Sequence, residues 1–191
     1  MAHNDVEVEV KMPVDEKTFL GVKNKLSKIA KFVRKIGQED TYFTPIHRNF
    51  VEPKYPFEWL SIRKRGDKVI INYKHFHPEN VEVTTHCDEF ETEVNSNDKL
   101  EKIFSALNLT KLVTVKKERE VYVYKDEFEI ALDDVKELGN FIEIEALKHD
   151  GSVEAVRKRL LEFAEELGID TSKEDMCGYP CLLMKKKGLI K

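Results

Sequence analysis

The sequence predicts an α+β protein in which eight antiparallel β-strands close into a barrel, forming a tunnel with a charged interior and helices packed outside. Between residues 5 and 147, most segments alternate apolar and charged side chains, which is the period of a β-strand. Charges of one sign recur at spacing two, so each strand presents them on one face. Barrel closure would remove the exposed edges that an open sheet leaves.

The first strand lies near the start of the chain, where Glu7, Glu9 and Lys11 alternate with three valines. Asp15 is suited to cap the following helix, whose apolar residues recur at helical spacing until a stop near Gly37. The other strands are expected at 40–44, 58–65, 68–76, 81–94, 111–124, 127–135 and 140–147. Two short turns, Gly66-Asp67 and Lys125-Asp126, connect consecutive strands and favour antiparallel pairing.

Two further helical patterns are expected, at 96–107 and 152–167, and a short basic segment follows up to residue 187. No repeat or linker divides the chain. We therefore expect residues 1–191 to form a single domain, with a strand core at about 5–147 and carboxy-terminal helices at about 152–187.

Composition narrows the class of protein. The 191 residues are 41% hydrophobic, enough for a core, and the net charge of −4 argues against binding nucleic acid by bulk attraction. No apolar stretch is long enough to span a membrane, so we expect no membrane partner and a cytoplasmic location. The three cysteines are expected to be reduced thiols.

The charged faces indicate a ligand that carries both metal and phosphate. Basic residues suited to phosphate oxygens are Lys11, Arg63, Arg65, Lys74, Lys117 and Arg119. Carboxylates suited to Mg²⁺ or Mn²⁺ are Glu7, Glu9, Asp133, Glu143 and Glu145. For a single strand, the simpler interpretation is a polar face in water. Segregation of charge by sign over several strands favours a common ligand, because solvated faces usually mix signs.

These residues resemble the CYTH domain, or triphosphate tunnel metalloenzyme, family, and most closely its class IV adenylyl cyclases. The motifs that carry the resemblance are Glu7-x-Glu9-x-Lys11, Asp40-Thr41-Tyr42-Phe43, Leu60-Ser61-Ile62-Arg63, Tyr73-Lys74, the Glu89 and Glu91 pair, Lys117 with Arg119, Leu132-Asp133, Leu138-Gly139 and Phe141-Ile142-Glu143-Ile144-Glu145. They occur in order over residues 5–147. The ordered set is specific, whereas the first motif alone would be weak.

The resemblance implies roles for individual residues. Glu7 and Glu9 would serve one divalent metal, and Asp133, Glu143 and Glu145 the metal that bridges a triphosphate. The six basic residues would bind phosphate oxygens, and Glu89 and Glu91 would be a further acidic pair, for which Glu93 is an alternative member. Tyr42 and Lys117 match a pair that helps to activate the attacking water in some triphosphatases.

Three activities remain open at this point. The first is a cyclase that converts ATP to cyclic AMP and pyrophosphate, and the second is a triphosphatase acting on thiamine triphosphate, a nucleoside triphosphate or inorganic tripolyphosphate. The third is a non-catalytic binder of polyphosphate or nucleotide. The partner in each is a small-molecule triphosphate or related anion. A homodimer is compatible with the sequence, which does not determine the oligomeric state.

Two aromatic features have structural and functional interpretations. Trp59 shares the parity of Arg63, so it either stacks on a substrate ring or simply packs, and packing is favoured. His75 and His77 lie two apart after Lys74 and suggest a transition-metal site, but with no third ligand evident we expect them to be exposed at a strand end.

Overall fold

The computed structural model describes residues 6–148 and 150–190. Its strands are β1 Val6–Glu7, β2 Glu9–Val14, β3 Lys31–Pro45, β4 Glu58–Arg65, β5 Lys68–His77, β6 His86–Val94, β7 Leu109–Tyr124, β8 Phe128–Val135 and β9 Gly139–Ala146. Its helices are α1 Glu16–Ile29, α2 Asn97–Ala106, α3 Val153–Leu167 and α4 Gly178–Lys186, with a short 3₁₀ helix at Thr171–Lys173. Residue 5, where the predicted strand core begins, and both ends of the predicted 1–191 domain lie outside the described residues.

The strands belong to one sheet with the order β1-β6-β5-β4-β3-β7-β8-β9-β2. The pairs β2–β9, β3–β4, β4–β5, β5–β6, β7–β8 and β8–β9 are antiparallel, as the turns predicted. Within residues 6–148 and 150–190 the strands number nine rather than the eight predicted. The difference arises at Val8, which separates β1 from β2.

The chain divides into two compact units. The first contains mainly Gly37–Lys116 and the stretch from Cys177 onward, and the second contains Glu7–Ile36 and Lys117–Met176. The prediction that the whole chain is a single domain stays a prediction.

The core of the second unit lies between one sheet face and two helices. Ile130, Ile142 and Ile144 on the strands pack with Leu26 of α1 and Leu160 of α3, and all five are at most 1% exposed. The charged residues of the same strands occupy the alternate positions, on the opposite sheet face. Packing of one face on helices therefore fixes which side chains are available to a ligand.

The first unit has a smaller core. Phe43 of β3 and Ile62 of β4 pack with Phe104 of α2, and the rings of Phe43 and Phe104 meet edge to face at 5.1 Å. The side chain of Ser96 caps α2 by accepting a hydrogen bond from the Lys99 amide. This confirms the predicted helix at 96–107 to within one residue at each end.

The first helix is shorter than predicted. It ends at Ile29 rather than near Gly37, because Ala30 is extended with φ −124° and ψ 156° and β3 begins at Lys31. The residues that were predicted to be helical but lie in β3 include Phe32, whose ring meets that of Tyr122 edge to face at 5.4 Å within the second unit. Aromatic and β-branched residues favour strands, and here a tertiary contact is added to that preference.

Two other expectations need correction. The strand predicted at 81–94 begins at His86, where the ladder with β5 starts at the His77–His86 pair. The expectation of three reduced thiols is wrong for Cys177 and Cys181, which form a disulfide with Cα atoms 5.5 Å apart. Cys87 is buried and lies outside this disulfide.

Among the described residues, no helix has both the length and the apolar character that crossing a bilayer requires. The cytoplasmic location stays a prediction.

Candidate active site

The charged side chains of the second unit lie on one sheet face. Strand register pairs Lys11 with Glu143, and Glu9 with Glu145, across β2 and β9. Arg119 on β7 is opposite Asp133 on β8. Directly opposed residues of an antiparallel pair point to the same face, so the alternation predicted from the sequence is converted into side-chain proximity.

These side chains form a chain of alternating charge. It begins at Lys117, whose Nζ lies 2.8 Å from Asp133 Oδ2, and continues to Arg119, whose Nη2 lies 2.6 Å from the same oxygen. Arg119 Nη2 is also 3.0 Å from Glu143 Oε1. The other oxygen of Glu143 lies 3.1 Å from Lys11 Nζ, which is 3.4 Å from Glu9 Oε1. Three cations and three carboxylates are therefore linked in sequence.

Asp133 is the most enclosed member of this chain, with a side chain that is 0% exposed. Burial opposes its ionisation, but the attraction of Arg119 and Lys117 outweighs that effect and lowers the pKa of Asp133 to about 2. Arg119 donates from Nε to Oδ1 and from Nη2 to Oδ2, a bidentate arrangement. Asp133 thus holds two cations in fixed positions, and the metal-ligand role predicted for it stays a prediction.

A row of three carboxylates crosses the neighbouring strands. Glu145 on β9 is opposite Glu9 on β2 and opposite Glu129 on β8. Burial raises the pKa of Glu129, with Arg34 and Arg119 acting in the other direction. Like charges directly opposed on a sheet destabilise it. A divalent cation would offset that repulsion, and carboxylate oxygens are the ligands that Mg²⁺ and Mn²⁺ prefer, so this donor set fits the predicted metal. Glu7 is half-buried at the end of β1.

The first unit carries its own charged cluster on β4, β5 and β6. Arg63 Nη1 donates to Glu89 Oε1 at 2.9 Å, and Lys74 Nζ lies 3.6 Å from the same oxygen. Asn72 also donates to Glu89. Glu91 is 3.6 Å from Arg63 and half-exposed. Glu89 is therefore the carboxylate on which two predicted phosphate-binding cations converge.

Arg65 and the predicted catalytic Tyr42 lie on the same unit's β3–β4 pair. Arg65 makes a bidentate ion pair with Asp40. Tyr42 is 8% exposed and meets the ring of Trp59 edge to face at 5.8 Å. Trp59 is 6% exposed, so packing accounts for it without a substrate.

Sequence reasoning left three contributors out of the predicted site. Asp40 pairs with Arg65, Asn72 donates to Glu89, and Glu129 completes the carboxylate row. Each lies an even number of residues from a predicted site residue on its own strand and so shares that residue's sheet face, and this spacing is the sequence signal that could have identified it. Glu93, the alternative to Glu89 and Glu91, is opposite Ile70 and pairs with Lys68 at 2.6 Å, so the register favours Glu89 and Glu91.

Comparison with known proteins identifies the family. The CYTH domain model matches residues 5–179, so the chain belongs to the CYTH family. A protein of Methanocaldococcus jannaschii named "Putative adenylate cyclase" is 32% identical over 166 residues, covering 86% of this chain and 90% of the relative. The family resemblance drawn from the sequence motifs is thereby confirmed.

Solved structures give the same result for the fold. The PH1819 protein of Pyrococcus horikoshii has a TM-score of 0.79 at 29% identity, with 94% of this chain and 99% of that chain covered. A Hippeastrum protein described as "Putative adenylyl cyclase HpAC1" with a dominant triphosphatase activity has a TM-score of 0.66 at 18% identity, covering 96% of this chain and 95% of that one. The predicted fold class is confirmed, apart from the strand count.

The chain is thus an enzyme of the CYTH type, for which adenylate cyclase and triphosphatase are the named activities among its relatives and structural neighbours. Membership of the family implies a divalent metal and a triphosphate substrate.

Proposed function

We propose that this enzyme is an adenylyl cyclase that uses Mg²⁺ or Mn²⁺ to convert ATP into cyclic AMP and pyrophosphate. Two observations together carry the proposal. A relative named "Putative adenylate cyclase" aligns with 86% of this protein, and a series of ion pairs of alternating charge runs from Lys117 to Glu9. A metal-bound triphosphate needs cations that bind its phosphate oxygens and carboxylates that bind its metal, and these ion pairs contain both.

In the proposed reaction, the 3′-hydroxyl oxygen of ATP bonds to the α-phosphorus as the bond from that phosphorus to the bridging oxygen breaks. The hydroxyl proton leaves to solvent or a basic side chain, and pyrophosphate departs with the bridging oxygen. Charge grows on the phosphoryl oxygens during this exchange, so fixed cations stabilise the transition state more than the ground state.

We assign the binding of phosphate oxygens to the six basic residues predicted from the sequence, Lys11, Arg63, Arg65, Lys74, Lys117 and Arg119. Their ion pairs with carboxylates support this assignment, because Asp133 holds Lys117 and Arg119 in position before any ligand arrives. When a metal-bound triphosphate binds, the ion pairs within the protein would be replaced: the cations would bind phosphate oxygens and the carboxylates would bind the metal. Preorganised charges need little rearrangement during the reaction.

For the metal, we assign Glu7, Glu9, Asp133, Glu143 and Glu145 as ligands, and we add Glu129 because of its place in the carboxylate row. When bound, the metal would neutralise charge on the triphosphate and orient its oxygens. Glu89 and Glu91 serve in this proposal as counterions to Arg63 and Lys74.

Hydrolysis of the γ-phosphoryl group is the second candidate, and the dominant triphosphatase activity stated for the Hippeastrum neighbour favours it. In that case the oxygen of a water molecule would bond to the γ-phosphorus, releasing a diphosphate and orthophosphate. Lys117 and Tyr42 would then be the catalytic residues. Thiamine triphosphate and inorganic tripolyphosphate are the other substrates to be compared with ATP.

The experiment is to incubate the protein with ATP and either Mg²⁺ or Mn²⁺ and to separate cyclic AMP, ADP, pyrophosphate and orthophosphate. Cyclic AMP with an equal amount of pyrophosphate supports the cyclase. ADP with orthophosphate, and no cyclic AMP, overturns it in favour of the triphosphatase. If metal-dependent binding of ATP, thiamine triphosphate and tripolyphosphate occurs with no product from any of them, the chain is a non-catalytic binder.

A further inference from the structure

One face of the β5–β6 hairpin carries a group of imidazoles and carboxylates that the proposed reaction does not use. Strand register sets His75 opposite Asp88 and His77 opposite His86. The Lys74 and Glu89 side chains of the proposed site occupy the adjacent positions and therefore the opposite sheet face. The hairpin thus separates two groups of different chemistry.

Three of these residues are arranged as metal ligands. His75, His77 and Asp88 each offer one ligand atom, and these atoms all lie within 4.8 Å of one another. The rings of His75 and His77 stack with centroids 4.6 Å apart, and His77 Nε2 is 2.9 Å from Asp88 Oδ2. The third ligand, which the spacing of the two histidines does not reveal, lies 11 residues beyond His77 and is supplied by the hairpin.

We propose that His75, His77 and Asp88 bind a borderline divalent transition metal of the Zn²⁺ type, separate from the oxygen-ligated metal of the reaction. Imidazole nitrogen is a preferred ligand of zinc and its neighbours but not of Mg²⁺, so the two sites select different ions. Tetrahedral ligands of zinc lie about 3.4 Å apart, so ligand atoms that are up to 4.8 Å apart need to close by roughly 1.4 Å at most.

Neighbouring groups favour an ion at this position. Glu79 Oε1 lies 2.9 Å from His75 Nε2. Glu79 is therefore available as the fourth ligand, through a carboxylate oxygen, or as a hydrogen-bond acceptor for His75. The ring of His86 stacks on that of His77 at 5.1 Å, and its Nδ1 lies 2.9 Å from Thr85 Oγ1. Partners that orient ligating side chains are a regular part of metal sites.

The cluster is also accessible. The side chains of His75, His77 and Asp88 are 25%, 30% and 35% exposed. His75 and Glu79 also line a cavity of about 710 Å³ within the first unit. An ion can therefore reach the cluster without unfolding of the hairpin, and it would join β5 to β6 at the end where their ladder stops.

The test is a titration of the metal-stripped full-length protein with Zn²⁺ by calorimetry, in buffer containing excess Mg²⁺ to occupy oxygen-ligated sites. We expect one Zn²⁺ per chain, with His75→Gln and His77→Gln each weakening the affinity at least about tenfold. His47→Gln is the matched control, since His47 is exposed and lines the same cavity but is outside the cluster. Circular dichroism at equal temperature establishes that each variant is folded.

Three outcomes overturn the proposal: no Zn²⁺ binding by the original chain, binding that both cluster variants retain at full strength, or equal weakening by the His47 control. A second measurement is independent of affinity. Co²⁺ substituted at a site with nitrogen ligands should give visible absorption bands, which Asp88→Asn should alter and Asp134→Asn, an exposed carboxylate on β8, should leave unchanged. Failure of ATP turnover would not bear on either measurement, so this inference stands apart from the proposed function.

Discussion

Arg119 and Glu143 are joined by an ion pair of 3.0 Å between Nη2 and Oε1, and each has a further partner of opposite charge. Arg119 also holds Asp133, and Glu143 also holds Lys11. The pair is thus the link between a buried half and a more accessible half of the same chain of charges. Breaking it should affect ligand binding more than folding, because both residues retain a partner.

Glu143→Gln should lower metal-dependent turnover of ATP at least ~10²-fold while leaving the protein folded, since a carboxamide is a poor ligand for Mg²⁺ yet fills the same space. The measurement is product formation over a range of metal concentrations. Glu118→Gln, an exposed position on β7, is the control and should retain activity. Equal activity of the two variants would remove Glu143 from the proposed ligand set.

Asp133→Asn should reduce the free energy of unfolding at pH 7 by about 3 kcal/mol, because the buried Lys117 and the half-buried Arg119 lose the ionised carboxylate that they share, although Arg119 keeps its ion pair with Glu143. The folded-state pKa of Asp133, about 2, is below the ordinary 3.8, so its contribution to stability is complete above pH 4 and is lost as pH falls through 2.

The difference in unfolding free energy between the original chain and Asp133→Asn should therefore shrink between about pH 4 and pH 2. Urea denaturation at several pH values measures it. Asp134→Asn is the neighbouring control on β8 and is exposed. A difference that is constant down to pH 2 would contradict the electrostatic explanation.

How far the sequence predicts this site depends on whether a feature is local. Alternation of period two is enough to assign Glu143 and Glu145 to one face, because that depends only on their own strand. It does not reveal that Lys11 meets Glu143 or that Glu129 is opposite Glu145, since those contacts depend on the register between distant strands. For the same reason, the sequence does not reveal that Asp88 lies beside His77.

The end of α1 was mispredicted for a related reason. Residues 31–36 have apolar residues at a spacing compatible with either a helix or a strand, so local pattern does not decide between them. The contact of Phe32 with Tyr122 and the ion pair of Lys35 with Glu120 at 3.3 Å favour the strand. Both are tertiary interactions, which routinely override weak local propensity.

Arg63→Lys should raise the KM for ATP roughly tenfold with a smaller change in kcat, because an ammonium cannot reproduce the fork of a guanidinium toward phosphate. Steady-state kinetics with saturating metal separate the two parameters. Lys64→Arg is the control on the same strand, where Lys64 pairs with Glu39 instead. The phosphate-binding role would be lost if both variants kept the original KM.

Leu160→Ala should destabilise the protein by about 2–5 kcal/mol, since Leu160 is 0% exposed within the core of the second unit. Leu20→Ala on α1, where the side chain is 51% exposed, should cost far less. Chemical denaturation of both variants provides the comparison. Similar losses for the two would show that this core is packed more loosely than its burial indicates.

The pairing of cations with carboxylates before substrate binds also determines how strongly substrate binding depends on ionic strength. A bare basic cavity attracts a polyanion through a long-range field, and dissolved salt weakens that attraction steeply. Here Lys11, Lys117 and Arg119 are already compensated at distances of 2.6–3.4 Å, so little uncompensated field extends into solution. The Michaelis constant should therefore change only gently between dilute and concentrated potassium chloride, with recognition arising at contact range rather than during diffusive approach.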